Sequence, residues 1–285
     1  MIICRTVREF VQQRQALRES AGGGAVGFVA TMGYLHAGHA RMIEQARGEC
    51  GTVIVSVFVN PLQFGPNEDF AAYPRDLAHD AALAEQSGAD LLFAPDADDL
   101  FGKDGGRCTV HVAQLGEHLC GASRPGHFDG VCTVLAVLFH LVSPQRAYFG
   151  RKDAQQWRIV RRMARDLRFP VEIVPVETVR EADGLAVSSR NVYLSQDERK
   201  AAPVLRRALA GVAAAVQAGE RSTAALRDVA LRVVAAEPLV RLDYLSFVDG
   251  ESLQPVRTVA DGGPTVCAVA AFVGKTRLID NVELV

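Results

Sequence analysis

The sequence predicts an α/β protein, with a Rossmann-like parallel sheet domain followed by a smaller C-terminal α+β domain. Two observations lead to this prediction. Short apolar runs that resemble strands alternate with helical stretches through residues 1–177, which is the pattern of parallel sheets with helical crossovers. After residue 177 the pattern changes, and two helical stretches are followed by three strand-like runs.

The strands of the first domain are predicted from short runs rich in Val, Ile and Phe. These runs are Ala25–Thr31, Thr52–Asn60, Asp90–Ala94 and Arg146–Phe149. The helices of this domain are predicted at His39–Cys50, Pro74–Ser87, Gly130–Val142 and Asp153–Leu167. Ligands of parallel sheets bind beyond the carboxyl ends of the strands. We therefore expect the loops Thr31–His39, Asn60–Gly65 and Gly150–Gln156 to face one crevice.

The second domain, residues 178–285, is expected to cover the site formed by that crevice. Ser195 and Glu198 form an S-x-x-E capping box that opens a long Ala-rich helix towards Ala218. A second helix is predicted from about Ser222 to Ala236. The strand-like runs that follow are Leu242–Val248, Val266–Val273 and Leu278–Leu284.

Composition excludes several classes of function. The 285 residues are 49% hydrophobic and 22% charged, with a formal net charge of -2, so neither nucleic acid nor a membrane surface is an expected partner. The longest apolar run, Val131–Val142, is too short to span a bilayer. The N-terminal residues do not resemble a signal peptide, and the six cysteines show no framework spacing. These features favour reduced thiols and a cytoplasmic protein.

The H-x-G-H element from His36 to His39 directly follows a predicted strand. A helix that begins near His39 would direct its free N–H groups at an anion, and both imidazoles could bind phosphates or donate a proton. Alternatively, one histidine caps the turn and the other packs. Metal ligation is disfavoured, because no carboxylate or third histidine lies at a matching spacing.

A second group of polar residues suits phosphate oxygens. Ser188–Arg190 offers two hydroxyls and a planar guanidinium. Lys152 could provide a positive point charge beside the transferring phosphoryl group. Asp153 could orient a ribose or a neighbouring side chain. Each of these features is also compatible with an ordinary solvated loop. Carboxamides near strand ends, at Gln63 and Gln156, can bind a small hydroxy acid without adding charge, although surface glutamines are common.

Taken in order, these motifs resemble the pantothenate synthetase (pantoate–β-alanine ligase) family over essentially the whole chain. The H-x-G-H and S-S-R elements also resemble those of the wider nucleotidyltransferase superfamily. The segments that carry the resemblance are Thr31–His39, Phe58–Phe64, Tyr73–Arg75, Arg124–Val131, Phe149–Gln156, Ser188–Asn191 and Leu278–Asn281. Departures from the family pattern occur at Ala30, Arg151 and Val187.

The resemblance implies a two-step, ATP-dependent ligase. The carboxylate of pantoate attacks the α-phosphorus of ATP to give pantoyl adenylate and pyrophosphate, and the amine of β-alanine then displaces AMP. Adenylation supplies the leaving group. Because charge builds on the phosphoryl oxygens, positioned donors do most of the catalysis. The resemblance further implies Mg²⁺ with the triphosphate, small-molecule substrates and a homodimer.

The resemblance also implies roles for individual residues. Catalytic roles fall to His39 as proton donor and to His36, Lys152, Ser188, Ser189 and Arg190. The implied ATP contacts are Met32, Gly33, Tyr34, Leu35, His36, Ala37, Gly38, His39, Gly150, Arg151, Lys152, Asp153, Val179, Val187, Ser188, Ser189 and Arg190. The implied contacts of pantoate and β-alanine are Gln63, Gln156, Asn60, Tyr73 and Arg124. Asp80 is a candidate ligand for Mg²⁺, directly or through water.

Other functions remain as alternatives. An adenylyl- or cytidylyltransferase with a different acceptor would use the same fold, but Gln63 and Gln156 favour a small hydroxy acid. A tRNA synthetase is disfavoured, because the chain has no anticodon-binding extension or basic face. A nucleotide sensor without chemistry is disfavoured because His39, Lys152 and Arg190 are all present.

Overall fold

The computed structural model describes residues 1–20, 24–66 and 68–285. These residues form two compact units. Unit 1 contains Met1–Val112, Arg124–Arg151 and Gln156–Glu177, and unit 2 contains Ala113–Ser123, Lys152–Gln155 and Thr178–Val285. The chain therefore passes from one unit to the other five times.

Unit 1 is built on a parallel sheet, to which the described chain contributes six strands in the order β1-β4-β3-β2-β5-β6. The strands are β1 Ile2–Cys4, β2 Val26–Thr31, β3 Thr52–Val57, β4 Leu91–Phe93, β5 Arg146–Gly150 and β6 Glu172–Val176. The helices are α1 Val7–Ser20, α2 Ala37–Glu49, α3 Leu77–Gln86, α4 Ala97–Phe101, α6 His127–Val142 and α7 Ala154–Asp166, whose first two residues belong to unit 2. The predicted Rossmann-like parallel sheet is confirmed.

The strand order changes direction between β2 and β5. These two strands are paired through Gly27 with Arg146, whereas β3 and β4 lie beyond β2 and β6 lies beyond β5. In open α/β sheets, ligands bind at the carboxyl ends of the strands that flank such a switch. Here those ends are Thr31, which precedes the H-x-G-H loop, and Gly150, which precedes Arg151 and Lys152.

A row of apolar side chains across the sheet fixes the position of α2. Val29, Val55 and Leu92 are paired in register on β2, β3 and β4, and all three are fully buried. Ile43 and Ala46 of α2 pack on the same cluster. Because burying each such side chain contributes roughly 1.5–3 kcal/mol, the N-terminus of α2 is held firmly beside the end of β2.

Unit 2 contains an antiparallel sheet in the order β7-β8-β9. Its strands are β7 Val240–Asp249, β8 Thr265–Val273 and β9 Thr276–Leu284, and its helices are α5 Cys120–Ser123, α8 Gln196–Ala201, α9 Val204–Gln217 and α10 Thr223–Ala235. Leu205, Leu209 and Val212 recur at helical spacing along α9, while Cys267 and Val269 alternate along β8, and all five belong to one buried core.

Two sequence predictions of elements need correction, those of a long helix and of a strand. The long helix predicted to run to Ala218 is two helices, because Pro203 cannot donate the N–H that a continuous helix requires. The strand predicted to reach Asn60 ends at Val57. β1, which has only three residues, was not predicted, and neither was α1. The capping box of Ser195 and Glu198 is present as predicted.

None of the helices in the described residues has the length and hydropathy needed to cross a bilayer. All six cysteines are free thiols, and all except Cys108 are buried.

Candidate active site

The H-x-G-H loop leaves β2 through a tight turn. The Thr31 hydroxyl donates to the carbonyl of Ser56 at 2.8 Å and accepts from the N–H of Gly33 at 3.1 Å. Gly33 and Tyr34 then both adopt left-handed backbone, with φ of +86° and +51°. A side chain at Gly33 would meet Val57 at 2.9 Å, so the close approach as well as the conformation requires glycine.

Both histidines are part of a capping box at the start of α2, which begins at Ala37 rather than near His39. Nδ1 of His36 accepts from the N–H of Gly38 at 3.1 Å, and Nδ1 of His39 accepts from the N–H of His36 at 3.3 Å. A ring nitrogen that accepts a hydrogen bond carries no proton, so the proton of each neutral ring is on Nε2. The two rings stack with centroids 4.0 Å apart.

This geometry makes helix capping by a histidine compatible with phosphate binding by the same histidine. His36 does cap the helix, and the same contact orients its Nε2–H as a donor. Together with the positive end of α2, the two Nε2–H groups form an arrangement suited to phosphate oxygens.

Asp80 of α3 holds the loop through hydrogen bonds to its backbone. This carboxylate is 1% exposed. Its oxygens accept the N–H of Tyr34 at 3.0 Å and the N–H of Leu35 at 2.6 Å. Burial raises the pKa of Asp80, and the two backbone hydrogen bonds oppose that rise. Both oxygens therefore already accept hydrogen bonds from the loop. The role of Asp80 as a ligand of Mg²⁺ stays a prediction.

Gln63 lies in a one-turn 3-10 helix, Pro61–Gln63, that follows β3. Asn60 caps this turn, because its Oδ1 accepts from the N–H of Leu62 at 3.2 Å. Its Nδ2 donates to Oε1 of Gln63 at 3.0 Å, and Nε2 of Gln63 donates to the sulfur of Met32 at 3.0 Å. The carboxamide of Gln63 is thus oriented by one partner on each side.

Arg124 and His127 hold the backbone of the same turn. Nδ1 of His127 lies 2.9 Å from the carbonyl of Gln63, and Arg124 binds both oxygens of Glu68, at 2.7 and 2.6 Å. Burial alone would raise the pKa of Glu68, but the hydrogen bonds and charge of Arg124 outweigh it and the pKa is lowered. Nη2 of Arg124 also donates to the carbonyl of Gln63 at 3.4 Å, so Arg124 contacts both the Gln63 turn and Glu68.

The α6 helix packs against this turn at Gly130. A side chain there would collide with the Leu62 carbonyl, so glycine is required for packing. Nδ2 of Asn60 also donates to the carbonyl of Gly130, at 3.1 Å. Tyr73 is 5% exposed and packs edge-on against Phe64, with ring centroids 5.9 Å apart.

In unit 2, the Ser188–Arg190 motif follows a short hairpin. The N–H of Val187 donates to the carbonyl of Val179 at 3.0 Å, which pairs two of the residues expected to contact ATP. Ser188 then caps the 3-10 helix Ser189–Tyr193, because its hydroxyl accepts from the N–H of Arg190 at 3.3 Å.

The middle of β9 supports the motif residues of unit 2. Asp280 is 4% exposed and binds Arg180 through two hydrogen bonds of 2.7 and 2.9 Å. Nδ2 of Asn281 donates to the carbonyl of Lys152 at 2.8 Å. Asp280 and Asn281 belong to a segment that already matched the family, but only the structure assigns them these partners.

The residues expected from the sequence are therefore divided between the two units. Unit 1 contains the residues of the H-x-G-H loop, with Asn60, Gln63, Tyr73, Asp80, Arg124, Gly150, Arg151 and Gln156. Unit 2 contains Lys152, Asp153, Val179, Val187, Ser188, Ser189 and Arg190. The supporting residues that the sequence did not predict are Glu68, Arg180, Asp280 and Asn281. Across the part of the chain that the structure describes, no three His, Cys, Asp or Glu side chains cluster as metal ligands.

Comparison with known proteins gives one consistent family. Residues 2–283 match the family model described as pantoate-beta-alanine ligase. A pantothenate synthetase from Heliobacterium modesticaldum is 53% identical over 282 residues, covering 99% of this chain and 98% of that protein. A crystal structure of pantothenate synthetase from Thermus thermophilus matches with a TM-score of 0.91 and 51% identity, and 99% of each chain is covered.

A more distant structure was determined with ligands. It is pantoate-beta-alanine ligase from Francisella tularensis in complex with beta-gamma ATP and beta-alanine, and it matches with a TM-score of 0.81 and 30% identity. The match covers 99% of this chain and 97% of that one.

Proposed function

The chain belongs to the pantoate–β-alanine ligase family, and from this premise we propose how its own residues carry out the family's reaction. The enzyme condenses pantoate with β-alanine in an ATP-dependent reaction, through a pantoyl adenylate, and releases pyrophosphate and AMP. A carboxylate is a poor electrophile, so adenylation supplies the leaving group that amide formation needs.

The stacked pair of His36 and His39 at the start of α2 is the observation that carries the assignment. With both Nδ1 atoms occupied by backbone N–H groups, each ring offers Nε2–H as a donor. We propose that these donors and the N-terminus of α2 bind the phosphates of ATP. His39 also donates a proton as charge builds up on the departing pyrophosphate.

Further motif residues complete the binding of ATP in this proposal. Lys152 and Arg190 neutralise charge on the phosphoryl oxygens, and the hydroxyls of Ser188 and Ser189 donate hydrogen bonds to them. Val179 and Val187 contact the nucleoside. The pairing of Lys152 with Asn281 supports this arrangement, because it holds the backbone from which the lysine extends.

Gln63 and Gln156 are proposed to bind pantoate, and the oriented carboxamide of Gln63 supports this role. Its Nε2–H can donate to the carboxylate of the substrate without contributing charge of its own. Asn60, Tyr73 and Arg124 are proposed to shape the same subsite, and for Asn60 and Arg124 the contacts described above act through the Gln63 turn.

We propose that Mg²⁺ enters with the triphosphate and is held mainly by phosphate oxygens and water. Mg²⁺ in nucleotide sites commonly takes one or two carboxylates and keeps several waters. The ion would neutralise charge on the phosphates as the carboxylate attacks. We also propose a cytoplasmic homodimer, and light scattering of the purified protein would test the dimer.

The reaction is tested by measuring pyrophosphate release from ATP, Mg²⁺ and pantoate, first without β-alanine and then with it. We expect a burst stoichiometric with enzyme, followed by AMP-forming turnover once β-alanine is added. A folded protein that bound ATP but remained silent in both conditions would refute the proposal. His39→Ala should still bind ATP while losing about 100-fold or more in the burst rate, in line with the loss of a general acid.

A further inference from the structure

Leu35, one residue before His36, is held by both of its backbone polar groups. Its N–H donates to Asp80 at 2.6 Å, and its carbonyl lies 2.9 Å from Nε2 of His79. A carbonyl only accepts, so Nε2 of His79 is the donor. Two adjacent residues at the start of α3 therefore hold one residue of the H-x-G-H loop.

The loop presents two successive N–H groups to a single anion. Left-handed backbone at Gly33 and Tyr34 makes the N–H groups of Tyr34 and Leu35 converge, which is the geometry of an anion-binding concavity. The anion is the buried carboxylate of Asp80. These two N–H groups are thus already occupied, so a phosphate at this loop would be bound by the N-terminus of α2 and by the imidazoles.

We propose that Asp80 and His79 are positioning residues for ATP activation, which set the geometry of the His36–His39 pair by fixing Leu35. This inference rests on the proposed role of the two histidines. His36 caps α2 with an extended backbone conformation, which depends on the position of the residue before it. That residue is Leu35.

The test compares the same substitution at two sites on α3. In Asp80→Asn the carboxamide oxygen accepts a hydrogen bond from one of the two backbone N–H groups. Its own NH₂ then faces the other N–H group, and that hydrogen bond is lost. In Asp76→Asn the residue remains a good N-cap for α3, and the side chain it replaces accepts from the backbone N–H of His79 rather than from Tyr34 or Leu35. Each variant is assayed for steady-state pyrophosphate release with ATP, pantoate, β-alanine and saturating Mg²⁺, and urea unfolding shows that it is folded.

We expect the KM for ATP to rise about tenfold or more in Asp80→Asn, because a charge-assisted hydrogen bond is lost. The Mg²⁺ concentration that gives half-maximal rate at saturating ATP should stay unchanged. Asp76→Asn should remain within about twofold of the unsubstituted enzyme in both measurements. Equal behaviour of the two variants would overturn the proposal. So would a changed Mg²⁺ requirement with an unchanged KM for ATP, which would identify Asp80 as a metal ligand.

His79 gives a second test that does not disturb the buried carboxylate. Its side chain is exposed, so substitution leaves the core intact. His79→Gln keeps a donor for the Leu35 carbonyl and should restore most of the ATP affinity that His79→Ala loses. Equal KM values for the two variants would remove His79 from the proposal. An unsubstituted enzyme that released no pyrophosphate would instead refute the proposed function, so the two failures are distinguishable.

Discussion

The side-chain N–H of Asn60 determines which way the carboxamide of Gln63 faces. Nδ2 of Asn60 can only donate, and it lies 3.0 Å from Oε1 of Gln63. Asn60 cannot rotate to offer its oxygen instead, because that oxygen accepts the N–H of Leu62. The amide nitrogen of Gln63 is therefore the end left to face away from Asn60.

This relationship predicts different effects for two substitutions at Asn60. In Asn60→Asp the carboxylate attracts the NH₂ of Gln63, so the amide turns and presents its oxygen to the pantoate carboxylate. We expect the KM for pantoate to rise about tenfold or more, and less in Asn60→Ala, where the carboxamide keeps only its contact with the sulfur of Met32. Steady-state kinetics at saturating ATP would decide. Equal KM values in the two variants would argue against orientation as the cause.

The pair of Glu68 and Arg124 predicts a pH-dependent contribution to stability. Because the pKa of Glu68 is lowered in the folded protein, its contribution is complete above the pKa of the unfolded state, about 4.3, and is lost as the pH falls through the folded value. The free energy of unfolding should therefore differ more between the unsubstituted protein and Glu68→Gln at pH 7 than at pH 3.5.

Urea unfolding at a series of pH values measures this difference. Glu44→Gln, at an exposed position on α2, controls for the substitution itself. A gap between Glu68→Gln and the unsubstituted protein that widened towards acid pH would contradict the prediction.

The bidentate pair of Asp280 and Arg180 predicts a loss of stability in Asp280→Asn. The amide retains one acceptor and leaves part of the guanidinium without its partner in a largely buried site. We expect the free energy of unfolding to fall by roughly 2–3 kcal/mol. Asp197→Asn, which breaks an ion pair with Lys200 on the surface, should cost less than about 0.5 kcal/mol. Similar losses in both variants would show that the burial of the pair is unimportant.

Gly130 predicts a coupling between stability and substrate binding. In Gly130→Ala the new methyl group collides with the Leu62 carbonyl, so the turn that carries Gln63 must move. We expect about 1–3 kcal/mol of destabilisation from overpacking together with a higher KM for pantoate. Gly211→Ala in α9 has only Val229 at 3.4 Å and should be neutral or stabilising. An unchanged KM for pantoate in Gly130→Ala would show that the position of this turn does not affect pantoate binding.

The sequence predicted the elements that rest on local pattern and missed those that rest on contacts between distant segments. The strand at Val26–Thr31 and the cap at Ser195 have strong local signals. By contrast, β1 is a three-residue strand that exists because it pairs with Leu91–Phe93, far along the chain. The helix break at Pro203 could have been predicted from the residue itself.

The same distinction applies to the candidate site. The motifs identified the residues that would meet the substrates, because their chemical type is informative. Their supports, such as Asp80 under Tyr34 and Asn281 at Lys152, come from 46 and 129 residues away in sequence. Carboxylates and amides of this kind are common on protein surfaces, and only the fold shows which backbone groups they bind.

The exchange of chain segments between the two units has a consequence for dissecting the protein. A cut between Glu177 and Thr178 would deprive unit 2 of Ala113–Ser123 and Lys152–Gln155. Within that unit, the side chain of Gln155 donates to the carbonyls of Leu115 and His118, both at 2.8 Å. We therefore expect that residues 178–285 cannot be expressed alone or exchanged alone between relatives. Recombination between relatives would have to exchange all three segments together.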